Sequence, residues 1–243
     1  MRSVGIIGCG RLGGLLVGLL AKDFKVFAYD ARPLSRRIRS LGGVPAPLEE
    51  VCGQDAVILC VPIRDIETVL RRIRGLLRPG TLVVDTCSVK EHPARLMKKI
   101  LPRHVEILAT HPTFGPDSAA ESLKGLKIIV CPLRVGAGRL SRIKSYLRGK
   151  GLVVFESSPR EHDRQMAHSL VLTHVIGRAL IRIKARDVPM DTEGYKRLMR
   201  ILQTVQNDSV ELFEDMNRYN AFAERVRQDL RSALDALERR LGR

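Results

Sequence analysis

A chain of 243 residues is long enough for a full α/β domain with a smaller partner, and 44% hydrophobic residues is ordinary for a globular protein. Its net charge of +16 would suit a nucleic-acid partner, but Lys and Arg are spread over every predicted helix and only 4% of residues are aromatic. With no basic tail and no stacking surface, the charge reads as a solvated field that favours small anionic ligands, and no nucleic acid is expected.

No apolar run approaches the roughly 18 residues of a membrane span, so no membrane association is expected and the chain reads as cytoplasmic. Cys9, Cys52, Cys60, Cys87 and Cys131 form no Cys-x-x-Cys pair and lie mostly in or beside apolar stretches. That is the pattern of reduced thiols, with no disulfide framework and no metal site.

The segment Ser3–Ile7 is a nearly continuous apolar run, as in a parallel strand buried on both faces. It leads into Gly8-Cys9-Gly10-Arg11-Leu12-Gly13, after which Leu15, Leu16, Leu19 and Leu20 recur at helical spacing. The glycines divide the work, since Gly8 makes the tight turn, Gly10 admits a pyrophosphate to the backbone, and Gly13 lets helix and strand pack closely. Arg11 and Leu12 then sit at the positive end of the helix beside the phosphates. A second strand, Lys25–Tyr29, ends in Asp30, about 20 residues past the glycines, where a carboxylate accepts from adenosine ribose hydroxyls. This favours NAD over NADP, although Arg32, Arg36 and Arg37 follow closely and offer cations for a 2′-phosphate.

Helical stretches at 33–41, 66–77 and 93–101 then alternate with apolar strands at 56–61, 81–85 and 105–109. The alternation predicts a Rossmann-type doubly wound parallel sheet. Val61-Pro62 closes its strand where a cofactor ribose or nicotinamide would pass. Further strands are expected at 126–131 and 152–155, around a helix at 139–147.

Two punctuated loops follow strands. Asp85-Thr86-Cys87-Ser88-Val89-Lys90 supplies a hydroxyl and an ammonium, and the Lys90 ammonium reads equally as a ligand for cofactor or carboxylate and as a solvated charge. The stretch 109–118 holds His111 between an apolar run and two prolines, so it predicts an imidazole presented from a stiff loop at a strand's end. Ligands of open α/β sheets collect at the carboxyl ends of strands, which places both loops on one crevice.

Near Ser157-Ser158-Pro159 the composition changes, and only helices are predicted beyond it. The expected division is a dinucleotide-binding domain at 1–158 and an all-helical substrate and dimerisation domain at 159–243. A helix over 162–186 is apolar on nearly every side, which calls for burial between domains or subunits and so for a homodimer. Its His162, His168 and His174 point in three directions at the ordinary helical pitch and cannot cluster on a metal. Helical stretches at 195–205 and 211–241 complete the chain.

Taken together, the glycine motif, Asp30, the Asp85 to Lys90 loop, His111-Pro112-Thr113-Phe114-Gly115-Pro116-Asp117-Ser118 and the run from Glu161 to His174 resemble the prephenate/arogenate dehydrogenase family of tyrosine biosynthesis. The most specific piece is the His111 segment, where the family has His-Pro-Met-Phe-Gly-Pro-Asp/Glu-Ser. The resemblance implies NAD-dependent oxidative decarboxylation of prephenate or arogenate, giving 4-hydroxyphenylpyruvate or tyrosine, by a homodimer whose helical domain closes the site. It implies that His111 is the catalytic base on the ring hydroxyl, that Ser88 orients it and that His174 contacts substrate. A family arginine that clamps a substrate carboxylate is missing here, with Gln203 or Thr204 in its place. Arg200 one turn earlier is the nearest substitute and Arg197 the second. The competing readings are a small dehydrogenase of the β-hydroxyacid dehydrogenase or imine reductase type, which gives no reason for the His111 segment, and a non-catalytic Rossmann regulator.

Overall fold

Residues 2–242 are described by a computed structural model of the chain. The chain divides into two compact units, Met1–Arg160 and Glu161–Arg243.

The first unit is one sheet of eight strands in the order β3-β2-β1-β4-β5-β6-β7-β8. These are β1 (Ser3–Ile7), β2 (Lys25–Tyr29), β3 (Val44–Pro45), β4 (Ala56–Leu59), β5 (Leu82–Asp85), β6 (Glu106–Pro112), β7 (Lys127–Arg134) and β8 (Val153–Glu156). The helices are α1 (Arg11–Leu20), α2 (Ser35–Ser40), α3 (Leu48–Cys52), α4 (Ile66–Ile73), α5 (Glu91–Ile100) and α6 (Ala137–Gly149). Val4, Ile6, Val26, Ala28 and Val17 are almost wholly buried around β1, as expected of strands covered on both faces.

The sheet is mostly parallel rather than wholly so. Strands β1 to β6 are parallel, but β7 runs antiparallel to β6, and β8 follows β7 in parallel. A parallel return needs a crossover of a dozen or more residues, usually a helix, and no helix lies between β6 and β7. The short β3 and α3 have no counterpart in the predicted elements. Their role is local: a Cβ on Gly5 would lie 2.2 Å from the Val51 carbonyl oxygen, so α3 rests directly on β1 only because residue 5 is glycine.

The second unit is helical: α7 (Pro159–Met166), a π turn (Ala167–Val171), α8 (Leu172–Arg182), α9 (Glu193–Gln206), α10 (Val210–Tyr219) and α11 (Ala223–Leu241). The single helix expected over 162–186 is thus broken by a π turn and ends four residues early. That turn rotates the later part of the helix, so His162 and His174 are both buried while His168 is exposed. The stretch 211–241 is two helices, separated at Asn220. There the side-chain oxygen accepts from Phe222 N–H at 2.9 Å and the amide donates to the Asp163 carbonyl at 2.8 Å. A Cβ on Gly177 would meet Val205 Cγ2 at 2.3 Å, which explains how α8 and α9 pack closely. Among the described residues no helix is long and apolar enough to cross a membrane.

Candidate active site

The turn after β1 is built for close approach. Gly8 has φ +92°, and a Cβ there would lie 2.3 Å from the Cys60 carbonyl oxygen. A Cβ on Gly13 would lie 1.9 Å from the Gly8 carbonyl oxygen, whereas one on Gly10 would meet only Arg32 Nη2 at 3.9 Å. Gly8 and Gly13 therefore set the backbone, and Gly10 faces open space. As the residue before α1, Gly10 brings no side-chain cap, and the first turn of α1 has no acidic residue, so its N–H groups and positive end suit a phosphate. Gly13→Ala is expected to abolish dinucleotide binding and to lower stability, as fluorescence titration and thermal melting will show.

At the end of β2, Asp30 accepts from Cys9 N–H at 2.7 Å and from Arg32 N–H at 2.9 Å and Arg32 Nε at 3.0 Å. Burial alone would raise its carboxyl, but the bonds from Arg32 and from the Cys9 N–H outweigh this and hold it below the usual carboxylate range. Strand β4 ends at Leu59, two residues short of expectation, and Val61 and Pro62 begin the next turn. Val61 stays at the glycine turn, its Cγ1 lying 3.2 Å from where a Gly8 Cβ would stand. Burial pushes the thiols of Cys9 and Cys60 up to about 11 and 12, so neither serves as a nucleophile near neutral pH. Arg11, on α1, donates to Asp117 Oδ2 at 2.6 Å, while Leu12 beside it is half-buried.

His111 is not in a loop. It lies inside β6, paired with Ile129 of β7, and is 5% exposed. The apolar run 105–109 underestimates this strand because the antiparallel β7 extends its ladder as far as Pro112, a strand-end position where a missing N–H is tolerated. Strands β5 and β6 are neighbours with Asp85 opposite Ala109, so the loop after β5 does meet the His111 segment.

Lys90 is neither solvated nor exposed. Its side chain is 0% accessible, forming an ion pair with Asp85 Oδ1 and donating to the Thr110 carbonyl at 2.6 Å. Thr110 Oγ1 donates in turn to the Asp85 carbonyl at 2.7 Å, and Cys87 N–H donates to Asp85 Oδ1 at 2.9 Å. The ammonium thus ties the loop carrying Ser88 to the residue preceding His111. Ser88 Oγ is buried without a hydrogen-bond partner among the described residues, so the Ser88–His111 bond implied by the family resemblance is not made here. A buried hydroxyl left unpaired costs about 1–3 kcal/mol, which is tolerable where a ligand hydroxyl completes it.

The second unit has its own polar group. His174, 3% exposed on α8, places Nε2 at 3.5 Å from Asp208 Oδ2, while its buried Nδ1 has no hydrogen-bond partner among the described residues. Burial lowers the imidazole below its usual range against the opposing pull of Asp208, so it is neutral near pH 7. Arg178, one turn later, donates to the carbonyls of Asp208 and Ser209 and lies 5.8 Å from the Phe213 ring centroid, which fixes the turn bearing Asp208. Neither Asp208 nor Arg178 is among the sequence-predicted site residues. Their signal is the Asn207-Asp208-Ser209 cluster, in which Ser209 caps α10 by accepting from Leu212 N–H at 3.1 Å. Arg200 and Arg197 are exposed on α9. His162 pairs with Asp163 at 2.8 Å in the core, and among the described residues no group of His, Cys, Asp or Glu could hold a metal ion.

The first sheet half is shaped around a dinucleotide's phosphates, which places the chain among the Rossmann-fold dehydrogenases. A family model described as prephenate dehydrogenase, nucleotide-binding domain, matches residues 25–156, and one described as TYRAAT1-like, C-terminal domain, matches 179–243. Over 98% of its length the chain is 36% identical to arogenate dehydrogenase 2, chloroplastic, of Arabidopsis thaliana, and 33% identical to arogenate dehydrogenase 1, chloroplastic. It spans 70% of the first and 39% of the second. The chain therefore belongs to the prephenate/arogenate dehydrogenase family. Its fold matches the solved structure of prephenate dehydrogenase from Aquifex aeolicus with a TM-score of 0.78 at 22% identity, covering 98% of this chain and 91% of that one. Synechocystis arogenate dehydrogenase follows at 0.70 and 21%, covering 99% and 92%.

Proposed function

We propose that the chain is an NAD-dependent dehydrogenase of tyrosine biosynthesis that oxidatively decarboxylates arogenate to tyrosine, with prephenate as the poorer substrate. Membership of the family supports the reaction, and the His174–Asp208 pair supports the choice of substrate. With Asp208 beside Nε2, the proton of neutral His174 belongs on that nitrogen, leaving Nδ1 as an unfilled acceptor. The ammonium of arogenate donates to such an acceptor and is attracted by the Asp208 carboxylate, whereas the keto group of prephenate can do neither.

The glycine turn, the start of α1 and Asp30 hold the dinucleotide, whose nicotinamide supplies a hydride acceptor. His111 takes the proton from the ring C4 hydroxyl, and Ser88 Oγ completes that hydroxyl's hydrogen bonds. Loss of the ring carboxylate as CO2 then leaves an aromatic ring, which makes the step effectively irreversible. Lys90 acts by holding the β5 loop against Thr110 rather than by touching substrate. For a substrate carboxylate, Arg200 remains the assignment, since it carries no ion pair among the described residues and its fork suits a carboxylate.

Purified protein with NAD and either substrate, followed by the near-ultraviolet absorbance of the reduced cofactor, tests the reading, and no turnover with either would sink it. Asp208→Asn is expected to lower kcat/KM for arogenate about ten- to a hundredfold, the worth of one charged contact at roughly 1.5–3 kcal/mol, with a smaller change for prephenate. Equal losses on both substrates would overturn the choice of arogenate.

The working form is a homodimer. Ile181 and Ile183 near the end of α8 are 38% and 73% exposed, and Leu234, Leu237 and Leu241 on α11 are 56%, 55% and 81% exposed. Such apolar faces call for a second copy, and sedimentation equilibrium should give twice the chain mass. The five cysteines are all free thiols, which fits the reducing cytoplasm.

A further inference from the structure

Strands β4, β5 and β6 end in register, with Leu59 beside Asp85 and Asp85 beside Ala109. At both steps the residue just past the pairing is a threonine whose hydroxyl reaches back to the last carbonyl of the neighbouring strand. Thr86 Oγ1 donates to the Leu59 carbonyl at 2.9 Å, with Cys60 Sγ at 3.7 Å, and Thr110 Oγ1 donates to the Asp85 carbonyl at 2.7 Å. Both threonines are buried, so water does not compete for these bonds. Valine has the same shape and the same preference for strands, so sheet formation by itself calls for a hydroxyl at neither position.

Each residue of this chain of bonds leads into a segment of the site. Leu59 runs into Cys60-Val61-Pro62 beside the glycine turn, Thr86 stands two residues before Ser88, and Thr110 is followed by His111. Neighbouring strands lie about 4.8 Å apart, which separates the ends of β4 and β6 by roughly 10 Å at the backbone. On its other side the end of β4 is held by β1, since Cys60 N–H donates to the Ile7 carbonyl at 2.8 Å.

We infer that Thr86 and Thr110 are positioning residues for the dehydrogenation, their hydroxyls forming a transverse brace that fixes the separation between the Val61-Pro62 turn and His111. The inference rests on the placement of dinucleotide and base given under the proposed function. Reacting atoms must come within about 3–3.5 Å, and a displacement of about 1 Å can cost a hundredfold in rate, so a brace across the strands that carry the two reacting sides acts on kcat. The step from β5 to β6 is doubled by the Lys90 bond to the Thr110 carbonyl at 2.6 Å. Thr86 is therefore the more sensitive of the two.

Thr86→Val is expected to lower kcat about ten- to a hundredfold while KM for NAD and for arogenate stays within about twofold. Thr110→Val should cost less, and Thr86→Ser, which keeps the hydroxyl, should restore kcat. A second measurement needs no turnover. Amide hydrogen exchange of the ligand-free chain should quicken at Cys60 and Val61 in Thr86→Val, return to normal in Thr86→Ser, and stay unchanged in β2 throughout. Near-normal kcat in Thr86→Val overturns the inference, and so does a loss that serine does not repair, a loss carried in KM instead of kcat, or unchanged exchange at Cys60. If the unaltered protein turns over neither substrate, the functional reading falls, and the exchange measurement still decides whether the hydroxyls brace the strand ends.

Discussion

His111→Asn is expected to lower kcat at least about a hundredfold with little change in the melting temperature. General-base catalysis contributes typically 10²–10⁴-fold, and it acts in the transition state, so kcat and kcat/KM should fall together. The position of His111 sharpens the expectation. It is held within β6 opposite Ile129 of β7, and asparagine keeps a polar side chain of comparable reach without an imidazole's basicity. Strand pairing does not depend on the ring, so the fold survives while the proton acceptor is lost. Steady-state kinetics on arogenate with NAD, beside thermal melting, gives both quantities. A variant with near-normal kcat would mean that another group takes the proton, and Ser88 would then be the first residue to examine.

Much of this site is legible in the chain because its physics is local. The glycine turn and Asp30 at the end of β2 follow from spacing and apolar runs, and the glycines fall where close approach demands, as the 1.9 Å clash awaiting a Gly13 side chain shows. What escapes is set by contacts distant in sequence. The strand state of His111 comes from β7, which turns back antiparallel and extends pairing beyond the apolar run. The burial of Lys90 depends on Asp85 and on a carbonyl from β6, so a lysine beside a loop serine gives no local hint of it. The π turn at Ala167–Val171 alters the phase of His174 on α8 relative to His162 on α7 in a way that no periodicity of apolar residues reports. The Asn207-Asp208-Ser209 cluster marks a helix start in the sequence, but the role of Asp208 arises only once α8 brings His174 and Arg178 to the turn before α10.

Lys90→Met is expected to cost about 3–5 kcal/mol of stability, which for a chain of this size is roughly 6–20 °C in Tm. Both members of the Lys90–Asp85 pair are 0% accessible, and Asp85 Oδ2 already lacks a partner among the described residues, so removing the ammonium strands a carboxylate in the sheet core. The cost is that of the abandoned charge more than of the lost attraction. A buried pair replaced as a whole is often near neutral, so Lys90→Met combined with Asp85→Asn should recover more than half of the lost stability, because an amide oxygen still accepts from Cys87 N–H. Activity should not recover with it. The ammonium's second bond, to the Thr110 carbonyl, fixes the Ser88 loop against the strand that carries His111, and methionine cannot make it. The double variant is therefore expected to be stable yet impaired in kcat. Thermal melting of the two variants, with kinetics on the double one, decides the point. Recovery of full activity in the double variant would reduce the pair to a structural contact, and a double variant no more stable than Lys90→Met alone would show that Asp85 is not the stranded group.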